Sequence, residues 1–194
     1  MLYDFLSRYN IILGSSSPRR KDLLTDLGIK FTIKTAKKEE KYPIFLKDEA
    51  IAKFLAKQKA TYFLNQLKNK DLLITADTIV TLDDVIFNKP KDKDDAFNML
   101  SKLSNNTHKV ITGVCIKTQD KKLVFSSTTL VTFKELSEQE INFYIKNYNP
   151  FDKAGSYGIQ DWIGKVGVVR IKGSYTNVVG LPLTELYENL KKFK

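Results

Sequence analysis

The stretch Asn10-Ile-Ile-Leu-Gly-Ser-Ser-Ser-Pro-Arg-Arg-Lys21 (NIILGSSSPRRK) decides how the first part of the chain folds. Its apolar residues 11–13 are typical of a buried strand. Ser17 is a suitable N-cap, and Pro18 stands at the first helical position, where its missing N–H is not needed. The stretch therefore predicts a strand, a serine-rich loop and a helix, with Gly28 as the natural end of the helix.

The same stretch brings three consecutive cations, Arg19, Arg20 and Lys21, to the start of that helix. Cations at a helix N-terminus are repelled by the positive end of the helix dipole, so they destabilise the helix when no anion is bound. A bound anion would offset this repulsion. Loop N–H groups, the hydroxyls of Ser15 and Ser17 and the bidentate guanidinium groups would together bind a phosphate. The alternative is a capped helix with solvated arginines. The spacing is also not that of a P-loop, so this motif alone does not establish a phosphate site.

Composition limits the class of protein. With 194 residues, 42% hydrophobic and 28% charged, the chain resembles an average globular protein, and we expect one integrated domain or two closely joined lobes. Its one cysteine, Cys115, excludes an intrachain disulfide, and we expect a reduced, cytoplasmic protein without a membrane partner. The net charge is +10, but the lysines alternate with acids, so charge alone does not indicate a nucleic-acid partner.

Strands and helices alternate along the rest of the chain. The further predicted strands are residues 30–34, 71–82, 85–90, 108–118, 122–133 and 165–173. The predicted helices are residues 18–27, 47–67, 92–103, 137–148 and 181–193. Hairpins interrupt the alternation, which favours a mixed α/β fold over a purely parallel one.

Two charged residues interrupt apolar patterns. Asp77 lies in the apolar strand 71–82, so it is paired, metal-bound or protonated, or it faces water at a strand edge. Lys59 shares a helix face with Ile51 and Leu55, which precede it at intervals of four. Its ammonium either reaches water along its stem or points inward to a negative partner.

A hairpin would bring a further cation to the same place. If Asp83-Asp84 form a two-residue turn, Thr78 faces Lys89, which puts a cation beside Asp77. Pro90 then ends the pairing because it has no N–H to donate.

The acidic pair Glu39-Glu40 could add carboxylates for a divalent cation, although alone it would be a solvated loop. Mg²⁺ needs few protein carboxylates when phosphates supply its other ligands. Cations, hydroxyls and an acid in this combination indicate chemistry on a polyphosphate.

These motifs, in this order, resemble those of the Maf family of nucleoside triphosphate pyrophosphatases. The matching segments are GSSSPRR (14–20), EE (39–40), LAKQKA (55–60), ADTIV (76–80), NKP (88–90), THKVITGV (107–114), DKAGSYGIQ (152–160) and GSYTNVVGLPL (173–183). The resemblance covers nearly the whole chain. Two segments depart from it: Asn105-Asn106, where relatives usually carry a glycine, and QDWIGKVGV (160–168), where many relatives are glycine-rich.

The resemblance implies a mixed, elongated, twisted β-sheet flanked by helices, with two lobes and a cleft between them, in a single domain over residues 1–194. It implies hydrolysis of a nucleoside triphosphate to the monophosphate and pyrophosphate with Mg²⁺ or Mn²⁺. By similarity, Asp77 is the proton acceptor that activates water. Glu40 resembles the metal-coordinating position, together with Asp77.

The resemblance also implies the substrate contacts. The implied substrate-binding residues are Ser15, Ser17, Arg19, Arg20, Lys59, Thr78, Lys89 and Gln160. Among them, Arg20, Lys59 and Lys89 resemble the positions that hold the triphosphate, with Ser15 and Ser17 at the loop. The other three resemble the positions that select the base. The form GSYGIQ is similar to the subgroup that acts on dTTP and UTP.

Two alternatives stay open. One is a pyrophosphatase for noncanonical purine nucleotides, which can share the fold. The other is a non-catalytic nucleic-acid-binding or cell-division regulator, since the family is associated with septum formation. That alternative predicts a dense basic patch or an aromatic stacking face, whereas the informative cations here stand beside carboxylates. The expected partners are a nucleoside triphosphate and a second copy of the chain, with no stable nucleic acid.

Overall fold

A computed structural model of the protein describes residues 6–36 and 41–193. Within them the strands are β1 (Asn10–Leu13), β2 (Thr32–Ile33), β3 (Asp71–Leu82), β4 (Val85–Phe87), β5 (Thr107–Lys117), β6 (Lys122–Phe133) and β7 (Val168–Lys172). Their order in the sheet is β2-β1-β3-β5-β6-β7, with β4 beside β3. β1 runs parallel to β2 and β3, whereas β3–β4 and β6–β7 are antiparallel, so the predicted mixed α/β fold is confirmed.

Helices connect and flank these strands. In the described residues they are α1 (Pro18–Asp26), α2 (Asp48–Thr61), α3 (Lys93–Leu103), α4 (Glu138–Tyr148), α5 (Trp162–Gly167), α6 (Tyr175–Val179) and α7 (Leu183–Lys191). The predicted caps are confirmed: Ser17 caps α1, and Ser137 with Glu140 forms a capping box on α4. In residues 6–36 and 41–193, no helix has the length and apolar character needed to cross a membrane.

The chain divides into two compact units. The first comprises Met1–Asp77, Thr112–Ser127 and Gly180–Lys194, and the second Thr78–Ile111 and Thr128–Val179. Strands β3, β5 and β6 contribute residues to both, and the division within β3 falls directly after Asp77.

In the first unit, α2 packs closely on the sheet. Gly113 of β5 makes this possible, because a Cβ there would lie 2.1 Å from the Ala52 carbonyl oxygen. The Thr75 hydroxyl of β3 donates to the Ala56 carbonyl oxygen at 2.7 Å and fixes the helix on the strand. Cys115 is buried as predicted, and burial raises the pKa of its thiol to about 11, so the thiol stays protonated.

In the second unit, the core contains a cluster of three rings. His108 is 1% exposed, and its Nε2 lies 2.7 Å from the Tyr157 hydroxyl. The Phe133 ring lies 5.4 Å from the His108 ring and 5.0 Å from the Tyr157 ring. Burial lowers the pKa of His108 from 6.5 to about 4, so the imidazole is neutral at physiological pH.

This histidine makes stability depend on pH. Its pKa is lower in the folded chain than in the unfolded one, so the unfolded chain binds the proton first, and stability falls as the pH drops from 6.5 towards 4. We expect a loss of about 2 kcal/mol between pH 7 and pH 5 in urea unfolding. His108→Gln removes the only histidine and should remove this loss. Equal pH dependence in both proteins would contradict the account.

One predicted helix is shorter than expected. The helix predicted over residues 47–67 ends at Thr61 and is followed by a 3₁₀ turn at Leu64–Gln66. Phe63 and Leu67 are nevertheless buried against the same core as α2. The apolar spacing therefore correctly predicts that these side chains are buried together. It does not distinguish a helix from a 3₁₀ turn that buries the same side chains.

The strand predicted over residues 165–173 is also wrong in its first part. Residues up to Gly167 belong to α5, and β7 begins at Val168. Gly164 of α5 allows close packing, because a Cβ there would lie 2.0 Å from the Ile159 carbonyl oxygen. Helix α6 was likewise not predicted.

Candidate active site

The serine-rich loop between β1 and α1 is ordered by its own side chains. The Ser17 side chain accepts a hydrogen bond from Arg20 N–H at 3.5 Å and so caps α1. Ser17 N–H donates to Ser15 Oγ at 3.2 Å, and Arg20 Nη1 donates to the same oxygen at 3.3 Å. The loop at the predicted phosphate site is therefore held in one conformation at the start of the helix.

Arg20 is more deeply buried than a surface phosphate ligand would be. It is 9% exposed, and its Nε donates to the Gly180 carbonyl oxygen at 2.8 Å. Gly180 has φ +128°, a backbone conformation that favours glycine. Arg20 thus joins the loop to the segment before α7, and its role toward the triphosphate stays a prediction.

Lys59 and Asp77 form an ion pair in the first unit. Lys59 Nζ lies 2.6 Å from Asp77 Oδ1, with side chains 16% and 10% exposed, respectively. Lys59 Nζ also lies 3.4 Å from the Ala76 carbonyl oxygen. Of the readings left open by the sequence, the structure selects a paired carboxylate and an inward-pointing lysine.

The pair forms because strand and helix spacings match. Thr75 and Asp77 are two apart on β3 and point to one face, while Ala56 and Lys59 lie three apart on one face of α2. The hydrogen bond from Thr75 to Ala56 therefore aligns the two elements so that Lys59 reaches Asp77. An ion pair this well shielded resists screening by salt more than a surface pair does.

Asp71, in the same strand, is a useful contrast. It is 5% exposed and accepts hydrogen bonds from Asn10 Nδ2 at 3.1 Å and Lys68 N–H at 2.9 Å. These hydrogen bonds join the Asp71 side chain to the first residue of β1 and to the segment before β3, which indicates a structural role. Asp77, by contrast, has a cation as its hydrogen-bonding partner in the described part of the chain.

The hairpin that precedes Lys89 is confirmed, but its last predicted pair is not. Asp83 and Asp84 have φ +50° and +63°, as a type I′ turn requires. The paired residues are Leu82–Val85, Thr81–Ile86 and Val80–Phe87. The pairing ends there because Asn88 O accepts a hydrogen bond from Gly155 N–H at 3.2 Å. Lys89 is therefore exposed in a loop and does not pair with Thr78, which is half-buried in β3.

Gln160 is half-buried in the second unit, in a turn closed by a 3.0 Å hydrogen bond from Asp161 N–H to the Gly158 carbonyl oxygen. Its amide oxygen Oε1 is buried and has no hydrogen-bonding partner among the described residues. A buried acceptor without a donor is costly, so a ligand that offers a donor there would be favoured. Arg19 is half-buried on α1, and Glu40 lies outside the described residues.

Comparison with known proteins is consistent with this geometry. The family model described as Maf-like protein matches residues 10–193. The chain belongs to the Maf family. It is 55% identical to the dTTP/UTP pyrophosphatase of Phocaeicola vulgatus, covering 96% of this chain and 97% of that protein. The dTTP/UTP pyrophosphatase of Flavobacterium johnsoniae is 48% identical, with 98% of each chain covered. That of Porphyromonas gingivalis is 47% identical, with 99% and 98% covered.

A solved structure is also similar: a nucleoside-triphosphatase described as a dITP/XTP pyrophosphatase from Mycobacterium abscessus. Its TM-score is 0.46 at 12% identity, with 95% of this chain and 97% of that chain covered. A likeness this distant supports no inference about substrate.

One departure from the usual Maf pattern has a structural explanation. Asn105 has φ +55°, a conformation that asparagine tolerates better than most residues. Its N–H donates to the Lys134 carbonyl oxygen at 3.0 Å, and the chain turns there into β5. Asparagine can therefore keep the turn at this position, where the resemblance led us to expect a glycine.

Sequence reasoning missed Gly180 and Tyr144 as supports of two predicted site residues, Arg20 and Gln160. Gly180 was hidden because its contribution is a carbonyl oxygen, which any residue carries. Tyr144 did leave a signal. It lies on the apolar face of α4 with Ile141 and Ile145, where a ring with a hydroxyl needs a buried partner.

Proposed function

We propose that this chain hydrolyses nucleoside triphosphates to the monophosphate and pyrophosphate, with dTTP and UTP as its preferred substrates. Membership of the Maf family and the names of the curated relatives support the reaction and the bases. The observation that carries the proposal is the shielded ion pair of Lys59 and Asp77. It supplies a carboxylate for proton transfer and a cation for phosphate within one contact.

In the proposed mechanism, Lys59 changes partner when the substrate binds. Without substrate it neutralises Asp77, so neither charge is left unpaired in a poorly hydrated place. A triphosphate brings several negative charges, which attract the ammonium group. Asp77 is then released to accept a proton from the water that attacks the α-phosphorus.

The phosphate groups are proposed to bind at the start of α1. Backbone N–H groups of the β1–α1 loop and the hydroxyls of Ser15 and Ser17 provide donors, and the loop is ordered before substrate arrives. Lys89, whose side chain is exposed, is the further cation proposed for the triphosphate. Because charge on the phosphates grows toward the leaving pyrophosphate, donors placed there stabilise the transition state more than the substrate.

A divalent metal, Mg²⁺ or Mn²⁺, fits the residues present if the triphosphate supplies most of its ligands. In residues 6–36 and 41–193, no three His, Cys, Asp or Glu side chains lie close enough to hold a metal by themselves. Asp77 offers one carboxylate, which is typical of Mg²⁺ bound with phosphates. Once bound, the metal would neutralise phosphate charge and polarise a phosphorus–oxygen bond. Glu40 is the second proposed ligand.

Base selection is proposed to depend on Gln160, with Arg19 and Thr78. The edge of thymine or uracil presents O2, N3–H and O4, and the buried Gln160 Oε1 is an acceptor that suits N3–H. Cytosine has no proton on N3, so the acceptor would stay unpaired, at about 1–3 kcal/mol. Purines would be disfavoured by size.

A panel of dTTP, UTP, CTP, ATP and GTP tests this proposal. We expect wild-type kcat/KM to be highest for dTTP and UTP, and Gln160→Ala to reduce the preference over CTP by about tenfold. Gln139→Ala, at an exposed position on α4, is the matched control. A wild-type preference for a purine would instead favour the noncanonical-nucleotide alternative. A base ranking untouched by Gln160→Ala would remove Gln160 from base selection.

A further inference from the structure

One buried hydroxyl joins the two ends of the turn that carries Gln160. The Tyr144 hydroxyl accepts a hydrogen bond from Gly158 N–H at 3.0 Å and donates one to Asp161 Oδ2 at 2.8 Å. Tyr144 is 0% exposed, so water does not compete for these bonds. Tyr144 therefore fixes both ends of the turn, at Gly158 and Asp161, which flank Ile159 and Gln160.

The chemistry of the hydroxyl makes this bridge directional. Burial, together with the neighbouring Asp161 carboxylate, raises the pKa of Tyr144 well above its usual range, so the hydroxyl keeps its proton. That single proton is committed to Asp161, and the oxygen is left to accept from Gly158. Lys153 Nζ lies 3.8 Å from the same Asp161 oxygen and adds electrostatic attraction.

The position of the Gln160 amide follows from this turn. A Cβ at Gly158 would lie 2.5 Å from Asp161 Oδ2 and 3.0 Å from Gln160 Nε2, so the amide nitrogen packs against the Gly158 backbone. The amide oxygen is the buried, unpartnered acceptor described above. A shift of Gly158 or Asp161 would therefore move the group that is proposed to meet the base.

We propose that Tyr144, acting through Asp161 and Gly158, is a positioning residue for Gln160 and sets how strictly the enzyme distinguishes bases. Tyr144 does not touch the nucleotide. It fixes the amide in place before binding, so that a base with the wrong edge is not accommodated by movement of the turn. This inference rests on the proposed role of Gln160 in base selection.

The test compares Tyr144→Phe with Asp161→Ala, each of which breaks the bridge. We expect KM for dTTP to rise about tenfold, kcat to change by less than about threefold, and the dTTP-to-CTP ratio of kcat/KM to fall about tenfold. Asp161→Asn should stay near wild type, because its amide oxygen still accepts from Tyr144. Tyr148→Phe is the matched control, since its ring stacks on Tyr144 at 5.3 Å.

Each outcome decides the inference. Loss of base ranking in Tyr144→Phe and Asp161→Ala, with ranking kept in Asp161→Asn and Tyr148→Phe, supports it. If Tyr144→Phe does not fold, Asp161→Ala decides alone. An equal fall for every nucleotide, or a lower Tm with unchanged ranking, overturns the positioning role while Gln160→Ala still loses its ranking. If Gln160→Ala keeps its ranking, the proposed role of Gln160 fails, and this inference fails with it.

Discussion

Asp77→Asn is expected to lower kcat by about 10³-fold while the chain keeps its fold. The substitution preserves the shape of the side chain and removes the charge that accepts the proton from water. It also removes the carboxylate proposed to hold the metal. The rate of pyrophosphate release from dTTP measures the loss of activity. Circular dichroism shows whether the variant is folded.

The control for this variant is Asp71→Asn, in the same strand. Asp71 is as deeply buried as Asp77, but it joins Asn10 and Lys68. We expect Asp71→Asn to lose stability and to keep kcat within about threefold, because its contacts hold the strand and not the substrate. Turnover of Asp77→Asn within a few-fold of wild type would exclude Asp77 as the base.

The structure also changes the expected stability of Asp77→Asn. From the sequence alone, removing a desolvated carboxylate could stabilise the free protein. The ion pair reverses this expectation, because Asp77→Asn removes the charge-assisted contact with Lys59 at a place where the two side chains are only 10% and 16% exposed. We therefore expect a lower Tm for Asp77→Asn.

Lys59→Met is the second variant with a large expected effect. We expect kcat/KM for dTTP to fall by about 10²-fold, mainly through KM, because the ammonium proposed to bind the triphosphate is gone. Methionine has a similar length and fits the apolar face of α2. Lys57→Met, at an exposed position two residues away, is the matched control and should behave as wild type.

A double variant measures how much the ion pair between Lys59 and Asp77 contributes to stability, separately from the proposed binding of the triphosphate by Lys59. Each single substitution already removes the contact between Lys59 and Asp77, so the double variant loses that contact only once. Lys59→Met/Asp77→Asn should therefore be more stable than the sum of the two single effects predicts. Thermal unfolding of the four proteins measures this coupling. Additive effects on Tm would show that the ion pair does not form in solution. Unchanged substrate binding by Lys59→Met would show that Lys59 does not bind the triphosphate.

Much of this architecture could be predicted because the deciding signals are local. Ser17 and Pro18 start α1, and the type I′ turn at Asp83-Asp84 sets the β3–β4 register. Both features follow from residues that are adjacent in the sequence. The meeting of Lys59 with Asp77 was only one of several open readings. Choosing among them required the distance between helix and strand, which no pattern within either element contains.

The rest could not be predicted because it depends on backbone groups and distant pairs. Arg20 donates to a carbonyl oxygen 160 residues away. The predicted pairing of Lys89 with Thr78 does not form, because the strand ends where the Asn88 carbonyl oxygen accepts from Gly155 N–H. That hydrogen bond comes from tertiary packing. Tyr144 supports Gln160 through another residue's N–H. Composition and periodicity do not identify the partner in any of these contacts, although the place of Tyr144 on an apolar helix face indicates that its hydroxyl needs one.

The site of phosphorus attack tests the central claim most directly. Purified protein would be incubated with dTTP and Mg²⁺ in water enriched in oxygen-18, and the products analysed by phosphorus NMR. The account predicts dTMP and pyrophosphate, with the heavy oxygen on the phosphate of dTMP, and a reaction about 10³-fold slower in Asp77→Asn. Formation of dTDP with labelled orthophosphate, or labelled pyrophosphate with unlabelled dTMP, would contradict it.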